Sequence, residues 1–316
     1  MKLLITGGAG FIGSNLQDKL IELGHQVGII DNFKTGQKDF INAQATLFEA
    51  DIKDKTSLIN IFNDFKPEVV FHLAAQADVP TSMANPKEDL QINIVGTINV
   101  LEACRQAGTK KIIYSNTGGA LYGEVPEKDF PVTEDYPVLK PTSFYGVSKL
   151  SGEYYVKLYG NLFKLNWVSL RYSNVYGPRQ EGNKEAGVVA IFTTKLLRKE
   201  RPTINGDGLH VRDYIFVSDV VEANLKALDF PESDAFNISE GNQVTTKQVF
   251  EAIESELHTG LTPNYGPERL GDARKINLSN EKAKRLLSWE PQVDFQTGIK
   301  KTIQFYLKSK VLFLRQ

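Results

Sequence analysis

LLITGGAGFIGSNL, residues 3–16, is the stretch that decides the fold. The apolar run Leu3–Thr6 has the composition of a buried strand and leads directly into glycines at positions 7, 8, 10 and 13, followed by an amphipathic pattern. Glycines in a strand-to-helix turn let backbone amides approach a bound pyrophosphate. The stretch therefore predicts the opening unit of a dinucleotide-binding sheet. A tight glycine turn without a ligand is the plainer alternative.

Alternating strand and helix patterns continue through the first half of the chain. Strands are predicted over the short apolar runs Leu3–Thr6, Gln26–Ile30, Thr46–Ala50, Val69–Leu73, Lys111–Ser115 and Trp167–Arg171. Helices, with apolar residues three or four apart, are predicted over Asn15–Leu23, Thr56–Phe65, Leu90–Gln106 and Ser143–Tyr159. Repeated strand–helix units imply a parallel sheet covered on both faces.

The regular alternation fades after about Tyr176, where pieces rich in glycine and proline such as GPRQEGNKEAG (177–187) begin. We therefore predict an α/β fold with two parts. Residues 1–176 form a doubly wound parallel sheet that binds a dinucleotide, and later segments around 211–240 return to it. Residues 177–316 form mainly a smaller C-terminal substrate-binding lobe, and the terminal KVLFLRQ (310–316) is expected to be a docked or frayed tail.

Composition excludes several classes of partner. Lysine plus arginine (37) balance aspartate plus glutamate (38), which argues against a nucleic-acid-binding surface and favours small molecules. Cys104 is the single cysteine and is expected to be an inert buried thiol, and no apolar run reaches the ~20 residues of a membrane span. The expectation is a soluble cytoplasmic protein. The four histidines show no metal-ligand spacing, so no metal is expected, and His72 is interpreted as structural.

The nature of the dinucleotide is indicated by Asp31, which closes the second strand 18 residues after Gly13. A carboxylate at this spacing binds the adenosine ribose hydroxyls and repels a 2′-phosphate, which favours NAD over NADP. Lys34 nearby weighs against this, unless it is an ordinary solvated loop lysine. Asp51 follows the third strand, either as an acceptor for the adenine amine or as a helix N-cap.

Candidate chemistry lies at two later places. Tyr145 and Lys149 are four apart on a predicted helix and hence on one face, where positive charge would favour the phenolate that a base requires. A surface pair is the plainer alternative. Ser115 and Thr117 follow the fifth strand, at the edge where open α/β sheets bind ligands, although a hydroxyl-rich turn would give the same pattern.

Taken in order, these segments resemble the extended short-chain dehydrogenase/reductase family, with its Rossmann-type sheet, and in particular its UDP-glucose 4-epimerase branch. The resemblance covers nearly the whole chain. It rests on ITGGAGFIGSNL, IDN (30–32), ADI (50–52), HLAAQ, NIVGT (93–97), TGGALYG, YGVSK, RYSNVYGPRQ, VRDYIFVSDV, and GDARK with KRLLSWEP.

The resemblance implies roles for individual residues. Tyr145 would be the catalytic base, Lys149 would lower its pKa and hold the nicotinamide ribose, and Thr117 would contact the sugar 4-oxygen, with Ser115 in reserve. The implied NAD contacts are Gly7, Gly10, Phe11, Ile12, Gly13, Asp31, Asn32, Asp51, Ile52, Leu73, Ala74, Ala75, Asn93, Tyr145, Lys149 and Tyr172, the last placed with Asn174 on a loop facing the nicotinamide and substrate.

Further substrate contacts are implied in the second lobe. Arg212 and Arg269 would bind the nucleotide diphosphate, Asp272 the uridine ribose, and Val188 and Val189 would line the nucleotide. Ile276 would stand at the family's gate beside the hexose, where a tyrosine restricts some epimerases to plain hexoses. A smaller isoleucine would admit N-acetylhexosamines.

The implied reaction is epimerisation of a UDP-hexose at C4, by oxidation to a 4-keto sugar and return of the same hydride to the other face. Dehydratases of the family need an acidic pair where this chain has Gly118 and Gly119. UDP-glucuronate epimerases or decarboxylases, epimerases for other nucleotides and a non-catalytic NAD-sensing protein stay open. The resemblance also suggests a homodimer through the helices around 90–106 and 143–159.

Overall fold

A seven-stranded parallel sheet is the centre of the computed structural model, which describes residues 1–137, 139–182, 187–268 and 273–309. The strands of the molecule are β1 (Lys2–Thr6), β2 (Gln26–Asp31), β3 (Thr46–Glu49), β4 (Val69–His72), β5 (Lys111–Thr117), β6 (Asn166–Tyr172), β7 (Asn174–Tyr176), β8 (Thr203–Asn205), β9 (Val211–Arg212), β10 (Tyr214–Phe216), β11 (Asp234–Ile238), β12 (Val244–Thr245) and β13 (Asn264–Gly266). The order in the large sheet is β11-β6-β5-β4-β1-β2-β3, so β11 from the second half pairs with β6.

The helices are α1 (Phe11–Glu22), α2 (Lys55–Phe65), α3 (Val79–Ala84), α4 (Pro86–Leu90), α5 (Thr97–Ala107), α6 (Gly118–Leu121), α7 (Phe144–Phe163), α8 (Val188–Leu197), α9 (Val217–Asp229), α10 (Thr246–Leu257), α11 (Glu281–Leu287) and α12 (Phe295–Lys308). A π-helix, Gln91–Gly96, joins α4 to α5, and short 3₁₀ turns span Lys38–Phe40 and Glu127–Asp129. Within the described residues, no helix is long and apolar enough to cross a membrane.

Both faces of the large sheet are buried, as the apolar strand sequences predict. In β1, Leu3 and Ile5 pack into the core on the side of α1 and α9, whereas Leu4 packs into the core formed with α2 and α5. Successive side chains of a strand point to opposite faces, so an unbroken apolar run requires cover on both sides. The predicted fold class, a doubly wound parallel sheet with a smaller lobe, is confirmed.

The second lobe has a core of its own. Its three short strand pairs are β7 with β10, β8 with β13 and β9 with β12. Helices α8, α10 and α12 surround an aromatic cluster that includes Tyr176, Phe192, Phe216 and Phe295. The terminal KVLFLRQ, expected as a tail, lies outside the described residues.

Element boundaries differ from the predictions in two places that matter for the site. Helix α1 begins at Phe11 rather than Asn15, because Gly10 caps it in an extended conformation. The helix predicted over Leu90–Gln106 is divided into α4, the π-helix and α5. Cys104 is buried in α5, where desolvation raises the pKa of its thiol to about 12, in keeping with an unreactive cysteine.

Candidate active site

A cavity of about 550 Å³ lies at the carboxyl ends of the central strands of the large sheet and reaches residues of the second lobe. It is lined by many of the residues singled out in the sequence: Gly7, Gly10, Phe11, Ile12, Gly13, Asp31, Asn32, Asp51, Ile52, Leu73, Ala74, Ala75, Ser115, Thr117, Tyr145, Asn174, Arg212 and Ile276. The fold thus brings to one cavity residues that are separated by up to 269 positions, from Gly7 to Ile276. In open α/β sheets this edge is where ligands bind.

The glycine turn after β1 is built for close backbone approach. Gly7 has φ +73°, and a Cβ there would lie 2.8 Å from the backbone nitrogen of Ala74. A Cβ on Gly13 would lie 2.2 Å from the carbonyl oxygen of Gly7. Helix α1 has neither a side-chain cap nor an acidic residue in its first turn, so its N-terminus suits an anionic diphosphate.

The Asp31 carboxylate is fixed at the end of β2 by backbone donors. Its Oδ2 accepts from the N–H of Ala9 at 2.9 Å, and its Oδ1 accepts from the N–H of Phe33 at 2.9 Å. Burial raises its pKa, and these two N–H groups oppose the rise. Lys34, which also lines the cavity, forms an ion pair with Glu88. The Asp31 carboxylate and its surroundings therefore fit a dinucleotide whose adenosine ribose carries no 2′-phosphate.

The wall next to Asp31 is formed by the ends of β3 and β4. Asn32 donates from Nδ2 to Asp51 Oδ2 at 3.0 Å, so these two predicted contacts are adjacent. The N-cap of α2 is Asp54, whose side chain accepts from Ser57, and the alternative of Asp51 as the N-cap is wrong. His72 is buried between the hydroxyls of Thr6 and Thr97, and desolvation lowers the pKa of its ring to about 3. It is a neutral structural residue.

Thr117 and Tyr145 meet at the other end of the cavity. Thr117 is the last residue of β5 and the N-cap of α6, where its Oγ1 accepts from the N–H of Ala120 at 3.1 Å. Burial raises the pKa of the Tyr145 phenol to about 12, and a hydrogen bond with Thr117 opposes that rise. That Lys149 lowers the pKa of Tyr145, as the family resemblance implies, stays a prediction, since burial is the main effect on this phenol in the structure.

Lys149 lies one helical turn after Tyr145 and is 4% exposed. It is not among the residues that line the cavity. Its Nζ lies 4.3 Å from the ring centroid of Tyr114, and burial lowers the pKa of its ammonium to about 7. Asn93, a predicted cofactor contact, is buried behind the wall, where its Oδ1 accepts from the N–H of Gln76 at 2.9 Å and its Nδ2 lies 3.0 Å from Ser148 Oγ. It connects the cavity wall to α7.

The second lobe contributes Arg212 and Ile276 to the cavity. Arg212 ends β9, and its Nη1 donates to the carbonyl of Val211 at 2.9 Å. A Cβ added to Gly119 would lie 3.8 Å from both Ile276 Cδ1 and Thr117 Oγ1, and 3.7 Å from Asn174 Oδ1. These three side chains thus surround one point beside the predicted reacting groups. Arg269 and Asp272 lie outside the described residues.

Three predicted contacts are placed differently by the structure. Val189 is 1% exposed and packs into the aromatic core of the second lobe, and Val188 packs against the same core. Neither lines the cavity, because α8 begins at Val188 and turns these side chains toward α10. Tyr172 lies in β6 rather than on a loop, and its hydroxyl bonds to Asn224 on the far side of the sheet. Tyr172 itself does not line the cavity, whereas the residues that follow it, Ser173, Asn174 and Val175, do.

Some cavity residues were missed by the sequence reasoning. Arg179 follows the YGP of a quoted motif, lines the cavity, and reaches across to α1, where it bonds to the carbonyl of Ser14 at 2.7 Å and to Asp18 at 2.6 Å. Gln76, in HLAAQ, also lines the cavity. Their position within motifs was the available signal. Among the described residues, no group of three or more histidine, cysteine, aspartate or glutamate side chains is arranged to hold a metal ion.

Residues 3–239 match the model of the NAD dependent epimerase/dehydratase family. The UDP-glucose 4-epimerase of Mycolicibacterium smegmatis is 41% identical over 313 residues, which cover 97% of this chain and 98% of that protein. The structure of UDP-glucose 4-epimerase with UDP-glucose from Thermotoga maritima is similar with a TM-score of 0.96 and 44% identity, covering 98% of this chain and 100% of that chain. The Thermus thermophilus UDP-glucose 4-epimerase complex with NAD has a TM-score of 0.91 and 41% identity, covering 97% and 99%.

Proposed function

The chain belongs to the NAD-dependent epimerase/dehydratase family, and from that premise we propose that it interconverts UDP-glucose and UDP-galactose through a transient 4-keto sugar. The observation that carries the proposal is the shared cavity. One end has the glycine turn and Asp31, which suit NAD, and the other has Thr117 and Tyr145 beside Arg212 and Ile276. The named relatives support the choice of a UDP-hexose.

The proposed chemistry divides between the cofactor and the chain. When bound, NAD supplies the acceptor for the C4 hydride and a positive ring charge that favours the Tyr145 phenolate. Tyr145 takes the proton of the sugar 4-hydroxyl, and Thr117 orients that hydroxyl through its own hydrogen bond. Lys149 contributes further positive charge from one helical turn away. Tyr145 then returns the proton to the 4-oxygen of the inverted sugar.

Inversion requires that the two halves of the substrate are held differently. Arg212, on β9, is a cation of the second lobe that lines the cavity, and it would hold the diphosphate. Around Gly119 the wall is formed by the side chains of Asn174, Thr117 and Ile276, which lie 3.7–3.8 Å from an added Cβ. A hexose gripped loosely there can rotate while the nucleotide stays bound, and the same hydride can then add to its other face.

Dehydration is disfavoured by the turn after β5. Gly118 and Gly119 stand where the dehydratases of the family carry an acidic pair. A Cβ on Gly118 would lie 2.3 Å from Leu278 Cδ1, so a side chain there would require the buried Leu278 side chain to move. Elimination of water needs an acid and a base in addition to the tyrosine, and the turn supplies neither.

The direct test is to incubate the purified protein with UDP-galactose and to follow the anomeric signals by NMR. We expect the signal of UDP-glucose to grow to an equilibrium ratio that is also reached from UDP-glucose. Formation of a 4-keto-6-deoxy sugar, or no change under conditions where NAD binds, would overturn the proposal.

We also propose that two copies associate through α7, as the family resemblance suggests. Large apolar side chains are exposed along this helix: Phe144, Val147, Tyr154, Tyr155, Leu158, Leu162 and Phe163, each 39–63% exposed. An apolar stripe of this length on a helix that is already packed on its other face favours a protein interface.

A cytoplasmic location stays a prediction from the sequence. The single cysteine, Cys104, is buried and unpaired, which supports it.

A further inference from the structure

Two buried groups of opposite charge, Asp89 and Lys149, lie on neighbouring segments next to the candidate active site. Asp89 is in α4 and is 1% exposed, and Lys149 is in α7 and is 4% exposed. Asn93 Nδ2 lies 3.0 Å from Asp89 Oδ1 and also 3.0 Å from the Oγ of Ser148, the residue before Lys149. Hydrogen bonds therefore tie the carboxylate to the turn of α7 that carries the ammonium.

Neither charge has another compensating partner in the part of the chain that the structure describes. Asp89 accepts from neutral groups, namely Gln76 Nε2 at 3.1 Å and Asn93 Nδ2 at 3.0 Å. Lys149 Nζ lies over the ring of Tyr114, and among the described residues no carboxylate, Asp89 included, lies within 4 Å of it, so Asp89 acts on the ammonium from a longer distance. An isolated buried charge is strongly destabilising, so two such charges on adjacent helices are best explained as each other's partner.

The other carboxylate near Lys149 is already neutralised. Glu153 follows Lys149 by one turn and is 1% exposed in its side chain, but Arg171 Nη2 binds it at 2.7 Å and Lys157 Nζ at 2.6 Å. Its charge is therefore shared with two cations. Asp89 is left as the anion available to Lys149.

We propose that Asp89 is a positioning residue that acts as the buried counter-ion of Lys149 and so keeps the ammonium charged beside Tyr145. The proposal rests on the proposed function, because the charge of Lys149 matters to the reaction through Tyr145 and through the nicotinamide ribose that Lys149 is expected to hold. Burial lowers the pKa of Lys149 to about 7, and Asp89 is the largest of the effects that oppose this lowering, followed by Glu153.

The direction in which the pH profile of activity should shift depends on which other titratable groups around Lys149 can change their charge. Tyr114 on β5 has a pKa well above 10 and stays protonated, and His72 on β4 stays neutral. Asp89, which lies in α4, also raises the pKa of Tyr145 in α7. Loss of the Asp89 charge should lower the pKa of both Lys149 and Tyr145, and should move the whole pH profile of activity to lower pH.

The first experiment compares pH profiles of kcat/KM for UDP-galactose in the wild type and in Asp89→Asn. We expect the loss to be roughly threefold greater at about pH 8.5 than at about pH 6.5, because a pKa that falls by one unit from about 7 removes roughly tenfold of the charged form at the higher pH and roughly threefold at the lower. Asp89→Glu, which keeps the charge, should keep the wild-type profile even if turnover falls. The exposed Asp64→Asn on α2 is the control for loss of a surface carboxylate. A uniform loss at all pH values in Asp89→Asn would overturn the proposal.

The second experiment needs no activity. Thermal unfolding is measured for Asp89→Asn, Lys149→Met and the double variant. If the two charges compensate each other, each single variant leaves one buried charge alone, and the double variant loses less Tm than the sum of the two single losses. An Asp89→Asn protein that folds only in the Lys149→Met background would support the same conclusion. Additive losses would overturn it.

The two experiments separate this inference from the proposed function. A wild type that does not epimerise UDP-galactose but shows non-additive losses contradicts the proposed function and supports the charge pair. An active wild type with additive losses contradicts the charge pair and leaves the function standing.

Discussion

The Asp31 carboxylate is the residue-scale feature that decides the choice of cofactor. Two backbone N–H groups hold it in a fixed orientation at the cavity wall. A 2′-phosphate would meet this buried anion, and the nearest loop cation, Lys34, is engaged with Glu88. We expect NADP to bind at least tenfold more weakly than NAD, a difference of about 1.4 kcal/mol or more. Calorimetric titration of both dinucleotides tests this, and Asp31→Ser should narrow the difference. Equal affinities in the wild type would contradict the assignment.

Ile276 is the residue that we propose limits the size of the sugar in the cavity. It lies beside Gly119 and Thr117, and its side chain is smaller than the tyrosine of restrictive relatives. We expect UDP-N-acetylglucosamine and UDP-N-acetylgalactosamine to be substrates, and Ile276→Tyr to lower kcat/KM for them at least tenfold more than for UDP-galactose. Ile276→Leu, which keeps the volume, is the control. No activity of the wild type on either acetylated sugar would contradict the prediction.

At the scale of single residues, the sequence predicts which side chains lie close together. It does not predict how the folded protein shifts their pKa values. Thr117 and Tyr145 could be expected together because one ends a strand and the other lies on the helix that follows. The rise in the Tyr145 pKa results from burial by distant segments, which spacing along the chain does not report. Whether the Val189 side chain faces the cavity or the core of the second lobe depends likewise on how α8 packs.

The turn between β1 and α1 is the element on which cofactor binding depends. A Cβ at Gly13 would lie 2.2 Å from the carbonyl oxygen of Gly7. This backbone atom cannot move aside as the end of a flexible side chain can. We expect Gly13→Ala to weaken NAD binding at least tenfold and to lower Tm by several degrees. Titration with NAD measures the change in affinity, and thermal unfolding measures the change in Tm.

Gly24→Ala is the control for this prediction. Gly24 has φ +80° but nothing within 4 Å of an added Cβ, so the substitution should cost about 1 kcal/mol of stability and leave NAD affinity unchanged. Wild-type NAD affinity in Gly13→Ala would show that the turn does not hold the cofactor.

The elements of the large sheet were predicted well because a buried parallel strand has a distinctive apolar run. The start of α1 was missed by four residues, from Asn15 to Phe11, because a glycine cap has no side-chain signature. The π-helix at Gln91–Gly96 was also missed. It carries Asn93 and follows Asp89, and its extra residue per turn depends on tertiary contacts rather than on a local pattern.

At the scale of the whole molecule, the apolar stripe on α7 predicts self-association. Leu158, in the middle of this stripe, is 49% exposed. We expect the wild type to elute as a dimer in size-exclusion chromatography with light scattering, and Leu158→Glu to shift it toward the monomer because a charge would be buried at the interface. Leu23→Glu, at a similarly exposed leucine (53%) beyond α1, is the control and should not change the mass. A monomeric wild type would contradict the proposal.

The division into two parts rests on the point where the regular alternation stops, near Tyr176, and it stays a prediction. The sequence could not show how the second lobe reaches the sheet. Arg179 contacts α1 from a segment 161 positions after Asp18, and such long-range pairs leave no periodic signal. The cavity itself is a product of this packing, so its lining could be predicted only motif by motif.

The central claim is that one hydride leaves C4 of the sugar and returns to the opposite face of the same carbon, with Tyr145 as the proton acceptor. UDP-galactose carrying deuterium at C4 tests it most directly, with the product analysed by NMR and mass spectrometry. We expect the UDP-glucose formed to retain the deuterium at C4. We also expect Tyr145→Phe, which keeps the ring and binds NAD normally, to slow turnover by orders of magnitude. Loss of the deuterium to solvent, or near-normal turnover in Tyr145→Phe, would contradict the central claim.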